Sequence, residues 1–138
     1  MNTKERYNGI QTVFEKAGES ACLFLSLISL AEDYTGLPVD FIVAYRKCIE
    51  LGLIREDFYC NDQEKILYEF TGKKWKKTVL KKLPDPVPEN MYTVEKWHNR
   101  RTGFTHFKRR GWDTLKSSVT TREGKISEYY CYTVEGDK

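Results

Sequence analysis

The chain has 138 residues, of which 40% are hydrophobic and 14% aromatic, and its formal net charge is +3. This composition is typical of one globular domain over residues 1–138 and excludes a disordered chain. The first residues lack the apolar core of a secretory signal, and the longest apolar stretch, residues 21–31, is too short to cross a bilayer. We therefore expect a cytoplasmic protein with no membrane partner. The 23 basic residues are nearly balanced by 20 acidic ones, which argues against a nucleic-acid partner, and no feature sets an oligomeric state.

Cysteines occur at four positions, 22, 48, 60 and 131, and none belongs to a C-x-x-C or other zinc-type spacing. In a reducing compartment this pattern is more typical of free thiols than of a disulfide framework. We therefore expect no metal site and no cofactor.

Residues 1–83 are predicted to be mainly helical, because apolar positions recur there at helical spacing and glycines follow where helices should end. Four short helices are expected. They are Tyr7 to Lys16, Ser20 to Tyr34, a third from Pro38 or Asp40 to Gly52, and a fourth from a cap at Asn61 or Asp62 to Gly72.

The period of the pattern changes after the proline-rich connection at residues 84–88, and residues 90–135 are predicted to be mainly antiparallel strands. Turns are expected at Arg100 to Gly103 and at Arg109 to Gly111. The predicted strands are Met91 to Asn99, Gly103 to Arg109, Gly111 to Ser117 and Ile126 to Val134. The fold class is therefore α+β, with N-terminal helices packed on a C-terminal antiparallel sheet.

Three residues suggest a thiol chemistry. Cys22 stands in the first turn of the most apolar predicted helix, where the aligned N–H groups favour a thiolate. His106 and Asp113 lie on the predicted strands that flank the Arg109 to Gly111 turn, so Asp113 could orient the imidazole. A nucleophile, a proton acceptor and an orienting carboxylate form the set that acyl transfer through a cysteine requires.

In the order of these elements the chain resembles the papain-like cysteine peptidase superfamily, and within it the small domains akin to bacteriocin-leader peptidases and NlpC/P60 hydrolases. The resemblance lies in Ser20-Ala-Cys-Leu-Phe-Leu-Ser26, Phe104-Thr-His-Phe107 and Gly111-Trp-Asp113. It implies a papain-like fold in which Cys22 is the nucleophile, His106 the base and acid, and Asp113 the orienting residue.

The same resemblance implies hydrolysis of a peptide-type bond in a peptide or protein substrate, held in a groove between helices and sheet. In this family a Gln shortly before the Cys completes the oxyanion hole. Gln11, which is eleven residues upstream, is the candidate here, and the family's usual Gly or Trp neighbours of the Cys are absent.

Other interpretations stay open. Cysteines are among the most buried residue types, so Cys22 could be a small core residue, as is expected for Cys48, Cys60 and Cys131. His98 could replace His106 as the base, although its place beside a turn is typical of a solvated histidine.

Two alternative functions follow from the same residues. The domain could be a catalytically inactive interaction module of papain-like fold. It could also be a winged-helix-like nucleic-acid binder that uses its basic runs, which are Lys73 to Lys77 around Trp75, Lys81 with Lys82, Arg100 with Arg101, and Lys108 to Arg110.

Overall fold

The computed structural model describes residues 20–56, 58–110 and 124–136, and these form three α-helices and one four-stranded antiparallel sheet. The predicted α+β class is confirmed. The helices are α1 (Ser20–Thr35), α2 (Phe41–Glu50) and α3 (Gln63–Thr71), and the strands are β1 (Trp75–Leu80), β2 (Tyr92–His98), β3 (Thr105–Arg109) and β4 (Lys125–Val134). The predicted helix Tyr7 to Lys16 and the predicted strand Gly111 to Ser117 lie outside the described residues.

The helix ends follow from local chemistry that the sequence already shows. Asp40 caps α2 by accepting a hydrogen bond from the Val43 amide at 3.0 Å, and Asp62 caps α3 through the Lys65 amide at the same distance. Such carboxylates satisfy amides that have no partner within the helix. Gly72 ends α3 in the left-handed conformation, with φ of 71°, which is easily reached without a Cβ.

The sheet order is β1-β4-β2-β3, with every neighbouring pair antiparallel. A bulge after Lys96 shifts the register between β2 and β4. The β2–β3 hairpin closes through residues 100–103, where the Gly103 amide donates to the Asn99 carbonyl at 2.8 Å. The turn predicted at Arg100 to Gly103 is therefore confirmed.

Strand β1 lies inside the segment that the sequence predicted to be mainly helical. Four of the residues 73–77 are lysines, and this charge run hides the alternation of a strand. In the structure Trp75 is buried, Lys76 is exposed, and the Lys77 ammonium lies 3.9 Å from the centre of the Tyr130 ring. The lysines are therefore compatible with a strand, because their stems pack while their charges stay near water.

The main core lies between the helices and one face of the sheet, which we call the helix-side face. Phe24, Leu27 and Ile28 of α1 are fully buried there with Val94 and Tyr132 of the sheet. Because side chains alternate along a strand, residues at the intervening positions belong to the opposite face.

Candidate functional site

Cys22 lies in the first turn of α1, as the sequence predicted, and its side chain is 1% exposed. It shares one helix stripe with Ser26, Ser29 and Asp33, at the spacing that brings residues onto a single side. That stripe meets β3, because the Arg109 guanidinium donates to Ser29 Oγ at 3.2 Å and to Asp33 Oδ2 at 3.1 Å. The thiol of Cys22 is thus part of a closed helix–strand contact.

His106 lies on β3, as predicted, but its side chain belongs to the opposite face of the sheet. Arg109 on the same strand reaches α1, and His106 stands at a position of the other parity. It pairs across the strands with Trp97. The opposite face also carries Glu95, which accepts from Trp97 Nε1 at 3.0 Å and lies 3.6 Å from the Lys108 ammonium.

Alternation along β3 therefore assigns the His106 side chain to the face of the sheet away from α1, the helix that carries Cys22. Asp113 and Gln11 lie outside the described residues. His98, the alternative base, belongs to the helix-side face at the far end of β2, where its Nδ1 is 3.5 Å from Thr105 Oγ1.

Burial governs the protonation of His106. The side chain is 3% exposed, and its desolvation, with a smaller contribution from the Lys108 charge, lowers its pKa to about 4. At neutral pH the imidazole is therefore uncharged. A neutral imidazole with so low a pKa is a weak proton acceptor.

Burial also governs three other thiols. It raises the pKa of Cys48 to about 11 and that of Cys60 to about 12, and it raises the pKa of Cys131 as well. These groups are protonated near neutral pH, so they are poor nucleophiles.

We expect iodoacetamide to modify all four cysteines of the native protein slowly at about pH 7. Burial limits access to Cys22, and raised pKa values keep the other three thiols protonated. Mass spectrometry of the alkylated peptides would measure the four rates, with the urea-unfolded protein as the reference for full reactivity. If Cys22 were modified fast in the native protein and slowly in His106→Ala, the result would contradict this expectation and support the hypothesis that His106 activates Cys22.

Within the ranges 20–56, 58–110 and 124–136, no three His, Cys, Asp or Glu side chains converge as metal ligands. In the same ranges no helix is long and apolar enough to span a membrane.

The sheet topology collects basic residues at one of its ends. Strand β2 finishes there, at His98, while β3 and β4 begin there, at Thr105 and Lys125; strand β1 finishes short of this end, with Leu80 opposite Tyr129. The segments that enter and leave the strands therefore meet, although they are far apart in sequence. The basic side chains at this end are His98, Arg100, Arg101 and Lys125.

A cleft of about 610 Å³ opens at this end of the sheet, and we call it the basic cleft. Among the described residues that line it none is acidic; they are His98, Asn99, Arg100, Arg101, Lys125, Ile126 and Ser127. A second cavity, of about 470 Å³, lies toward the other end and has a mixed wall in which Asp62, Glu64 and Glu135 accompany Lys65 and Lys74. Uniform positive charge thus distinguishes the basic cleft.

The arginines of the basic cleft stand on a turn with a defined shape. Asn99 is 1% exposed, and its Oδ1 accepts from the amides of Arg101 at 2.9 Å and Thr102 at 3.2 Å. An Asn that bonds the backbone two residues ahead fixes a turn before any ligand arrives. This role of Asn99 was not predicted, although an Asn before Arg-Arg-Thr-Gly is a recognisable sequence signal for it.

Comparisons of the chain with protein-family models, with curated proteins and with solved structures found no match. The papain-like resemblance therefore depends on the three sequence motifs alone.

Proposed function

We propose that this domain binds single strands of nucleic acid through the basic cleft and catalyses no reaction there. The observation that carries the proposal is the cleft at the sheet end, in which two arginines, a lysine and a histidine share one wall. Phosphate groups are the ligands that such a concave cationic surface favours.

The local charge supports this proposal better than the overall charge does. A formal net charge of +3 averages over the whole molecule, whereas the ends of β2, β3 and β4 bring basic residues together in one place. Lys81 has an 81% exposed side chain and lies 3.8 Å from Glu128, the residue after Ser127 of the cleft wall. Concentrated charge of one sign in a cleft attracts polyanions more strongly than the same charges spread over a surface.

The peptidase hypothesis has less support in the geometry. Its nucleophile would be a thiol that is 1% exposed, and its base would be an imidazole on the other face of the sheet. It stays a prediction, and the alkylation experiment described above tests it directly.

The proposal is tested by fluorescence anisotropy of a labelled oligothymidylate of about 12 nucleotides. We expect log K to fall with log salt concentration with a slope of about −2, as three neutralised phosphates would give. Reversing two cleft charges, Arg100→Glu with Lys125→Glu, should lower the affinity at about 50 mM salt by roughly tenfold or more and bring the slope below about −1 in magnitude.

The matched control is Lys73→Glu with Lys74→Glu, which makes the same change in net charge. Both lysines are exposed and precede β1, at the end of the sheet away from the basic cleft. This variant should keep most of the affinity. Equal losses in the two double variants, or no salt-dependent binding by the native protein, would rule out the basic cleft as the site.

A further inference from the structure

A smaller cavity, of about 310 Å³, lies between the start of α1, the segment before α3 and the helix-side face of the sheet. We call it the aromatic pocket. The residues in its wall that matter here are Tyr59, Gln63, Lys96, Thr105, Phe107 and Tyr130. Its volume is at the lower end of the range of small-ligand sites, which suits one planar heterocycle better than a large ligand.

The two cavities are neighbours along the β2–β3 hairpin. His98 lines the basic cleft and Thr105 lines the aromatic pocket, and these residues pair across the strands with 3.5 Å between His98 Nδ1 and Thr105 Oγ1. Lys96, two residues before His98, belongs to the same sheet face and to the pocket wall. The aromatic pocket therefore begins beside the part of the basic cleft that His98 lines.

The wall combines aromatic rings with polar groups. Phe107 and Tyr130 pack together, with their ring centres 5.5 Å apart, and the Lys77 ammonium lies over the Tyr130 ring, so this part of the wall is fixed. Tyr59 is 51% exposed, with the Arg55 guanidinium 4.6 Å from its ring centre. Aromatic rings stack on bases of any sequence, and this contact is the usual partner of phosphate binding in single-strand recognition.

The wall also carries polar groups that can form hydrogen bonds with the edge of a stacked base. Gln63 Oε1 accepts a hydrogen bond from the Tyr132 hydroxyl, and this contact holds the amide in place. Lys96 Nζ lies 3.4 Å from Glu128 Oε1. The Cys60 thiol is in the wall too, and since burial raises its pKa to about 12, it contributes a contact surface and no nucleophile.

We infer that the aromatic pocket holds one unpaired base of the strand whose phosphates lie in the basic cleft. This inference rests on the proposed function and deepens it: the strand is recognised by one base as well as by its phosphates, and a duplex, whose bases are stacked and paired, cannot fill the pocket. Tyr59 is the exposed ring on which the base stacks.

The test compares three ligands of equal length and charge per strand: a single strand, a strand of abasic residues and a duplex. We expect the native protein to prefer the single strand. Tyr59→Ala should weaken single-strand binding by roughly 5- to 100-fold, the range for loss of one stacked base, and leave abasic-strand binding unchanged. Tyr68→Ala is the matched control, since Tyr68 is also an exposed tyrosine near a cation, Lys65, but lies on the wall of the other cavity.

A second measurement does not depend on affinity. A single 2-aminopurine in the strand should lose fluorescence on binding to the native protein, because stacking quenches it, and should lose much less with Thr105→Tyr, in which the new ring fills the pocket. Equal affinity for all three ligands, with salt dependence retained and no effect of Tyr59→Ala, would overturn the inference that the aromatic pocket holds a base. The proposal that the basic cleft binds phosphates would still stand. If none of the three ligands bound in a salt-dependent way, both the inference about the aromatic pocket and the proposed function of the basic cleft would be overturned.

Discussion

Replacing Trp75 with alanine is expected to lower the free energy of unfolding by about 4 kcal/mol, the usual cost of removing a large buried aromatic side chain. Trp75 is 2% exposed, and its ring centre lies 4.9 Å from that of Tyr34 on α1 and 5.8 Å from that of Tyr92 on β2. Its indole N–H also donates to Thr71 Oγ1 at 2.8 Å, at the end of α3. One side chain thus joins two helices to the sheet.

Urea unfolding followed by circular dichroism would measure this loss. The conservative control is Trp75→Phe, which keeps an aromatic ring among Tyr34 and Tyr92 but gives up the bond to Thr71, and it should cost clearly less, about 1–2 kcal/mol. If Trp75→Ala lost less than about 1 kcal/mol, the residue would not be a core contact between the layers.

Acid is expected to destabilise the protein through His106. The unfolded imidazole has a pKa of 6.5, whereas burial lowers the folded value to about 4, so the unfolded chain binds a proton that the folded chain resists. The stabilisation by the neutral group is therefore complete above about pH 6.5 and is lost as the pH falls to about 4. The difference corresponds to about 3 kcal/mol.

The contribution of His106 is measured as the difference in the free energy of unfolding between the native protein and His106→Gln at each pH. Carboxylates titrate in the same pH range, but they do so in both proteins, so their effect cancels in the difference. The free energy of unfolding of the native protein should fall more steeply than that of the variant between about pH 6.5 and about pH 4. NMR titration of the imidazole gives a second measure that does not require the variant to fold. A midpoint near 6.5 would contradict the burial argument, and identical slopes would show that another group controls the acid response.

Much of the helical part could be predicted from the sequence, because its signals are local. The caps at Asp40 and Asp62 and the glycine at position 72 act on neighbouring amides and carbonyls, and the observed ends of α2 and α3 lie within about two residues of those predicted. Strand β1 was not predicted, because the contacts that stabilise it are not local. Its lysines are favourable only because β4 supplies rings such as Tyr130 for them to cover.

In the candidate site, too, some features follow from local sequence and others depend on tertiary contacts. That Cys22 would begin a buried helix and that His106 would lie on a strand followed from local pattern, and both are confirmed. Which face of the sheet His106 occupies depends on the parity of its position relative to Arg109, whose contact with α1 is a tertiary one. The sequence motifs suggested a Cys–His pair, whereas the alternation of side chains along β3 assigns the imidazole to the face away from α1.

By itself, the sequence determined the α+β class, the helix ends and the turn at Arg100 to Gly103, since each depends on interactions between residues close together in the chain. Only the tertiary structure decided where the charges meet. The pairing of β2 with β4 places Lys125 beside His98 and the turn that carries Arg100 and Arg101. This clustering arises because the long-range pairing of β2 with β4, which no local pattern specifies, joins His98 to Lys125, more than twenty residues further along the chain.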